Sequence, residues 1–219
     1  MIKAVVFDFD GLIIDTETIW FDSFKEVLAR YDVEFPLEIF LPCVGTHGTI
    51  INQYIEEKLG KNVSVTEVRQ QVRECHREKM DGIGIREGVR DYLQQAKKLG
   101  LKIGLASSSS KEWIHGFLKK LDLFDYFDVI KTGDDVKIVK PDPALYLQCL
   151  DALNVSSNEV VAFEDSNNGA RAAKAAGVTC VIVPNPITAG MTFDQYDLRI
   201  ESMATQSLTD VLNRIATFV

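Results

Sequence analysis

A chain of 219 residues that is 46% hydrophobic and 26% charged has the composition of an ordinary globular protein, with room for one large core or two modest domains. Its formal net charge of −8 argues against nucleic acid or an anionic membrane surface as the main partner, and no apolar run approaches the roughly 18 residues of a membrane-spanning helix. The four cysteines form no CxxC pair, so we expect reduced thiols in a cytoplasmic protein.

The first strand-like run, Lys3–Asp8, leads into two aspartates one residue apart, Asp8 and Asp10. Its central part, Ala4–Phe7, is apolar on both faces, as in a parallel strand covered by helices on both sides. Carboxylates at the end of such a strand lie where open α/β sheets bind ligands, and two close negative charges need a cation or a proton to compensate them. The pair therefore predicts a metal, a shared proton or both, with a solvated turn as the plainer alternative.

Residues 16–81 contain no convincing strand and instead show three helical patterns, at Thr18–Tyr31, His47–Leu59 and Ser64–Met80. This stretch is too long for a simple crossover helix. We interpret it as a small helical domain, 16–81, inserted into an α/β core made of 1–15 and 82–219. The two linkers would lie near Leu12–Thr16 and Asp81–Glu87, and Gly82 and Gly84 in the second would supply backbone freedom.

The rest of the chain alternates between strands and helices. Strands are predicted at Lys102–Ala106, Val129–Thr132, Val160–Glu164 and Cys180–Val183. Helices are predicted at Glu87–Leu99, Lys111–Leu121, Pro143–Leu153, Gly169–Ala176 and Ser207–Phe218. This β-α alternation predicts an α/β fold with a doubly wound, Rossmann-like parallel sheet.

Three more polar groups follow predicted strands. Ser107 opens a run of four serines before a helix, which suits either an anion site or simple capping. Lys140 precedes another helix; Lys137 competes with it, and an exposed surface lysine is the alternative. The neighbouring acids Glu164 and Asp165 end a strand, where a helix cap is the alternative to a ligand site.

The four motifs DFDGLIIDTE, LASSS, KPDP and FEDSNNG stand in the order and spacing of the haloacid dehalogenase superfamily, which the chain resembles over nearly its whole length. The helical insert resembles the cap of the subgroup that contains β-phosphoglucomutase and phosphoglycolate phosphatase. The resemblance implies a phosphoryl-transfer enzyme with a Rossmann-like core and a helical cap.

The resemblance also implies a role for each motif. Asp8 would be the nucleophile that forms an aspartyl-phosphate, and Asp10 would be the general acid and then the general base. Ser107 would bind the transferring phosphoryl group, and Lys140 would bridge it to the nucleophile. Mg²⁺ would be held by Asp8, the backbone carbonyl of Asp10, Glu164 and Asp165.

The charges of these residues agree with that assignment. Up to four carboxylates in one cleft would repel a phosphate dianion, whereas a magnesium ion and Lys140 together supply three positive charges. Phosphoryl transfer needs mainly positioning and charge stabilisation, and carboxylates suit a hard divalent cation. We therefore expect a phosphatase that acts on a small phosphorylated metabolite, such as a sugar phosphate, and works as a monomer.

Two alternatives remain: a β-phosphoglucomutase-type sugar phosphomutase and a catalytically silent phospholigand-binding module. An acid–base aspartate at Asp10 argues against dehalogenation and phosphonate cleavage. Mutases of the subgroup typically carry a His where this chain has Trp20 and an Arg in the loop that here reads VGTHG, which favours water as acceptor. The candidate substrate contacts are Thr16, Trp20, Gly45, Thr46, His47, Ser108 and Ser109.

Overall fold

The structure, a computed structural model, describes residues 1–44, 48–60 and 63–217. The chain divides into two compact units. The sheet unit comprises Met1–Ile14, Gly84–Pro184 and Thr192–Val219. The helical unit comprises Asp15–Ile83 and Asn185–Met191, so a short second segment joins the predicted insert.

The sheet unit is built on six parallel strands among its described residues: β1 (Ala4–Phe7), β2 (Lys102–Ala106), β3 (Val129–Lys131), β4 (Val160–Glu164), β5 (Thr179–Ile182) and β6 (Leu198–Arg199). Their order across the sheet is β3-β2-β1-β4-β5-β6. The predicted α/β class with a parallel sheet is confirmed. The two-residue strand β6 was not predicted, because it is too short to show a pattern.

Strand β1 lies at the centre of the sheet, between β2 and β4. All four of its residues are buried, and the ring of Phe7 stacks on Phe163 of β4 with centroids 5.1 Å apart. The chain proceeds from β1 to one side of the sheet and later returns to place β4 on the other side. The carboxyl ends of β1 and β4 therefore border the crevice where open α/β sheets bind ligands.

In the described part of the sheet unit, the sheet is accompanied by the α-helices α5 (Val89–Lys98), α6 (Lys111–Lys120), α7 (Ala144–Leu153), α8 (Asn167–Ala175) and α9 (Leu208–Ile215). Ser110, Ser166 and Ser207 cap α6, α8 and α9 by accepting a hydrogen bond from a backbone N–H in the first turn. Helix α8 begins at Asn167, two residues before the predicted start, and its cap is Ser166 rather than Glu164 or Asp165.

The helical unit contains α1 (Thr16–Ala29), α2 (Leu37–Phe40), α3 (Thr49–Leu59) and α4 (Val65–Met80), and no strand among its described residues. Asp15 caps α1 by accepting from the Thr18 N–H at 3.1 Å. Its core is aromatic, with Phe24 and Phe35 at its centre, and Ile187 of the second segment joins it. Within the described ranges of both units, no helix has the length and apolar character to cross a membrane.

Candidate active site

The loop after β1 holds the two predicted aspartates. Strand β1 ends at Phe7, and the backbone N–H of Asp8 still donates to the Phe163 carbonyl at 3.1 Å, which keeps Asp8 in the sheet. Gly11 has φ +79°, a conformation that glycine adopts without strain, and its N–H donates to the Ile14 carbonyl at 2.8 Å. This tight turn fixes the backbone directly after Asp10.

Lys140 makes the main ionic contacts at this edge. Its Nζ lies 2.7 Å from Asp8 Oδ1 and 2.7 Å from Glu164 Oε1, and all three side chains are buried. Burial opposes the charged form of Lys140, but the carboxylates of Asp8 and Glu164 outweigh it and raise its pKa. Lys137, the competing lysine, is exposed, so the structure joins Lys140 to the acids.

Tyr146 on α7 completes the buried group. Its hydroxyl donates to Glu164 Oε1 at 2.5 Å, and Lys140 Nζ lies 5.3 Å from the centre of its ring. Burial raises the pKa of Glu164, with Lys140 acting in the opposite direction and the charge of Asp8 reinforcing the rise. Tyr146 was missed in the sequence because its position in α7 follows the apolar pattern of a core residue. Only its hydroxyl could have indicated a polar partner.

Three buried carboxylates could hold a cation. Ligand oxygens of Asp8, Glu164 and Asp165 all lie within 4.8 Å of one another. Oε2 of Glu164 is buried and has no hydrogen-bond partner among the described residues. Since an unpaired buried carboxylate oxygen is costly, this donor set fits a hard, oxygen-bound divalent cation.

Gly169 on α8 makes room for that carboxylate. A Cβ atom at Gly169 would lie 1.8 Å from Glu164 Oε2, far inside van der Waals contact. The helix and the carboxylate can approach each other this closely only because residue 169 has no side chain.

Asp10 faces a different set of partners. Ser109 Oγ donates to its Oδ2 at 2.7 Å and Trp113 Nε1 donates to its Oδ1 at 2.9 Å, while Ser107 Oγ is 3.5 Å from Oδ2. Burial raises the pKa of Asp10 to about 6, and the charge of Asp8 adds to this rise, while the hydrogen bond from Ser109 opposes it. An aspartate with this pKa can both donate and accept a proton near neutral pH.

The predicted substrate contacts are distributed over both units. Ser109 joins Asp10, and Ser108 is exposed. Thr16 and Trp20 lie in α1 of the helical unit, where Trp20 stacks on His76 with ring centroids 3.6 Å apart. The predictions for Gly45, Thr46 and His47 lie outside the described residues.

Arg86 is a second residue that the sequence did not single out. Its guanidinium donates to the carbonyls of Gly11 and Pro184, each at 2.6 Å, and its backbone N–H donates to the Ile13 carbonyl at 2.9 Å. The side chain thus joins the loop after β1 to the segment after β5. A single arginine between two predicted elements belongs to no sequence motif, so the sequence could not indicate these hydrogen bonds.

Known proteins with similar sequences and structures bear on this site. The sequence profile of the haloacid dehalogenase-like hydrolases matches residues 5–183. "Putative phosphatase YhcW" of Bacillus subtilis (strain 168) is 48% identical over 216 residues, 98% of each chain. "Phosphorylated carbohydrates phosphatase" of Thermotoga maritima is 35% identical over 178 residues, 80% of this chain and 82% of that protein. The crystal structure of CbbY from Rhodobacter sphaeroides in complex with phosphate has a TM-score of 0.74 at 28% identity, covering 96% of this chain and 99% of CbbY.

Proposed function

Because this chain belongs to the haloacid dehalogenase-like hydrolase family and is a phosphatase-type enzyme, we propose that it hydrolyses a small sugar phosphate through an aspartyl-phosphate on Asp8, with Mg²⁺ as cofactor. The observation that carries this proposal is the buried contact of 2.7 Å between Lys140 Nζ and Asp8 Oδ1. It pairs the Asp8 carboxylate with a buried cation and orients it at the ligand-binding edge of the sheet, as a nucleophile requires.

In the first half-reaction, an oxygen of Asp8 attacks phosphorus and the bond from phosphorus to the leaving oxygen breaks. Asp10 gives its proton to that leaving oxygen, and the dephosphorylated product departs. In the second half-reaction, water attacks the phosphorus of the aspartyl-phosphate while Asp10 takes a proton from it. The bond to Asp8 breaks and inorganic phosphate leaves. General acid–base work of this kind contributes typically 10²–10⁴-fold.

The remaining charges would stabilise the transferring group. Ser107 follows β2, where its backbone N–H donates to the Lys131 carbonyl at 3.0 Å, and its hydroxyl would bind a phosphoryl oxygen. Asp8, Glu164 and Asp165, with the backbone carbonyl of Asp10, would hold Mg²⁺. When bound, the ion would offset the negative charge of the carboxylates and of the phosphoryl oxygens. Lys140 would contribute a further positive charge next to the nucleophile.

Support for the sugar-phosphate class comes from the Thermotoga relative, a phosphorylated carbohydrates phosphatase that matches 80% of this chain. Thr16, Trp20, Gly45, Thr46 and His47 stay the predicted contacts to the sugar. None of the four cysteines forms a disulfide in the structure, which supports a reducing, cytoplasmic compartment.

The test is a panel of sugar phosphates, polyol phosphates and phosphoglycolate, assayed for phosphate release with Mg²⁺ and with a chelator. Asp8→Asn keeps the shape of the side chain but removes the nucleophile, and it should lower kcat on the order of 10⁴-fold. Asp151→Asn, at an exposed position in α7, is the matched control and should be unaffected. Release of phosphate by Asp8→Asn at the wild-type rate would overturn the proposal.

The products of the reaction identify the molecule that accepts the phosphoryl group from Asp8. Phosphate release without isomerisation identifies water as acceptor. Interconversion of β-glucose 1-phosphate and the 6-phosphate, stimulated by a bisphosphate primer, would instead identify a phosphomutase. In either case, acid-quenched wild-type enzyme should carry a hydroxylamine-sensitive phosphoryl group that Asp8→Asn lacks.

A further inference from the structure

Both carboxylate oxygens of Asp10 accept a hydrogen bond from a neutral side chain of the segment that follows β2. Trp113 Nε1 is 2.9 Å from Oδ1, and Ser109 Oγ is 2.7 Å from Oδ2. We infer that Trp113 is a positioning residue for Asp10, acting together with Ser109 to fix the orientation of its carboxylate. The contact between Trp113 and Asp10 is independent of the proposed function. Its effect on the reaction rate rests on the proposed function.

Trp113 is itself held firmly enough to act in this way. It lies in the first turn of α6, where its backbone N–H donates to the capping Ser110 Oγ at 3.4 Å. Its ring packs against Phe117 one turn further along, with centroids 4.6 Å apart. The half-buried indole is therefore fixed at its backbone and along its ring, and it aims a single N–H at Asp10.

The chemistry of the two donors differs in a useful way. An indole N–H can only donate, so its partner oxygen must be an acceptor, whereas a serine hydroxyl can donate or accept. Ser109 is fixed in turn, because its backbone N–H donates to Ser107 Oγ at 3.1 Å. Two donors on two different oxygens determine both the direction and the plane of a carboxylate, which a single donor does not.

Asp8 and Asp10 are thus oriented by different kinds of partner. Asp8 is oriented by a buried cation, Lys140 at 2.7 Å. The side chains that donate to Asp10, which are Trp113, Ser109 and at 3.5 Å Ser107, are neutral, so they orient its carboxylate without forming an ion pair. A proton-transfer group must be held in reach of the reacting oxygen, and a misplacement of about 1 Å can cost 10²-fold in rate. Trp113 supplies this placement from outside the four sequence motifs.

The contact can be tested directly by NMR, without any substrate. The chain has two tryptophans and therefore two indole N–H resonances, and Trp113→Phe assigns them. In the magnesium-free full-length protein, Asp10→Ala should shift the Trp113 indole resonance and speed its hydrogen exchange. Asp151→Asn, at an exposed position in α7, is the matched control and should leave the Trp113 resonance in place. An unmoved Trp113 resonance would overturn the inference.

The kinetic consequence uses Trp113→Phe, which keeps an aromatic ring and removes the N–H. We expect kcat to fall about tenfold and KM to change less than about twofold, since part of the general acid–base contribution is lost while substrate contacts remain. Ser109→Ala should act in the same direction. Phe117→Leu loosens the packing of the indole but leaves its N–H, so it should have a clearly smaller effect.

Three kinetic outcomes would contradict the inference: a rise in kcat, a change confined to KM, or an equal loss in Phe117→Leu. A rise would mean that the bond restrains Asp10 from its productive position. If the wild type turns over no compound of the panel, the proposed function fails, and the NMR comparison still decides whether Trp113 positions Asp10.

Discussion

Gly169→Ala offers the sharpest test of the site, because it adds one methyl group at a position where the structure has no space. An ideal Cβ there would lie 1.8 Å from Glu164 Oε2, 2.1 Å from Cδ and 2.4 Å from Oε1. Real Cβ contacts stay beyond 3.0 Å, so helix and carboxylate must separate by at least 1.2 Å (3.0 minus 1.8). Glu164 cannot yield freely, because its other oxygen accepts from Lys140 and Tyr146.

The expected loss of stability follows from two opposing effects. An overlap this deep takes the upper end of the usual cost of overpacking, about 3 kcal/mol, and alanine in a helix recovers about 1 kcal/mol relative to glycine. The net loss is about 2 kcal/mol, before any weakening of the Lys140–Glu164 contact is counted. For a protein of this size, that corresponds to a fall in Tm of about 4–8 °C.

Thermal unfolding of Gly169→Ala should be compared with that of Gly116→Ala. Gly116 also lies within a helix, α6, but a Cβ there would meet nothing within 4 Å. This matched control should therefore keep or slightly raise the Tm. A magnesium titration followed by the same unfolding signal should give weaker binding in Gly169→Ala alone, by about 10–100-fold. Equal Tm values for the two variants would refute the steric reasoning.

Two further changes test the charges. Lys140→Met leaves the buried carboxylates of Asp8 and Glu164 without their cation, so we expect chemical denaturation to show a loss of about 3–5 kcal/mol; a loss below about 1 kcal/mol would contradict the pairing. Burial lowers the pKa of His76 from 6.5 to about 4, so the unfolded chain binds a proton before the folded one does as pH falls. The contribution of neutral His76 to the free energy of unfolding is fully present above pH 6.5 and is lost as the pH falls from 6.5 to 4. About 2 kcal/mol of it is lost by pH 5. His76→Leu should remove that part of the pH dependence, and identical pH curves for the two proteins would contradict the assignment.

The parallel sheet, and the proximity of the motif residues at one edge of it, could be predicted from the sequence because both follow from local patterns and topology. Strands such as Val160–Glu164 are apolar runs up to their last residue, and parallel strands place their carboxyl ends at one edge. Asp8 and Glu164 therefore had to come close once β1 and β4 were neighbours. Lys140 could be preferred over Lys137 only through its motif, since both precede the same helix.

The partners of these residues could not be predicted, because they depend on single atoms at the ends of otherwise apolar side chains. Trp113 and Tyr146 both follow the helical spacing of core residues, and periodicity does not distinguish a ring that only packs from one that also donates a hydrogen bond. The distances involved, 2.9 Å and 2.5 Å, depend on the rotation of each helix about its axis. Sequence patterns determine which face of a helix is buried, but not that rotation to within an ångström.

The composition of the helical unit has a consequence for protein engineering. It is formed by 15–83 together with 185–191, and Ile187 from the second segment packs in its core. A chimaera that exchanges only 15–83 with a relative would pair a foreign set of helices with the native 185–191. To exchange the helical unit between such enzymes, the donor's two segments should be grafted together. In recombination between relatives, these two distant stretches should likewise be inherited as a pair.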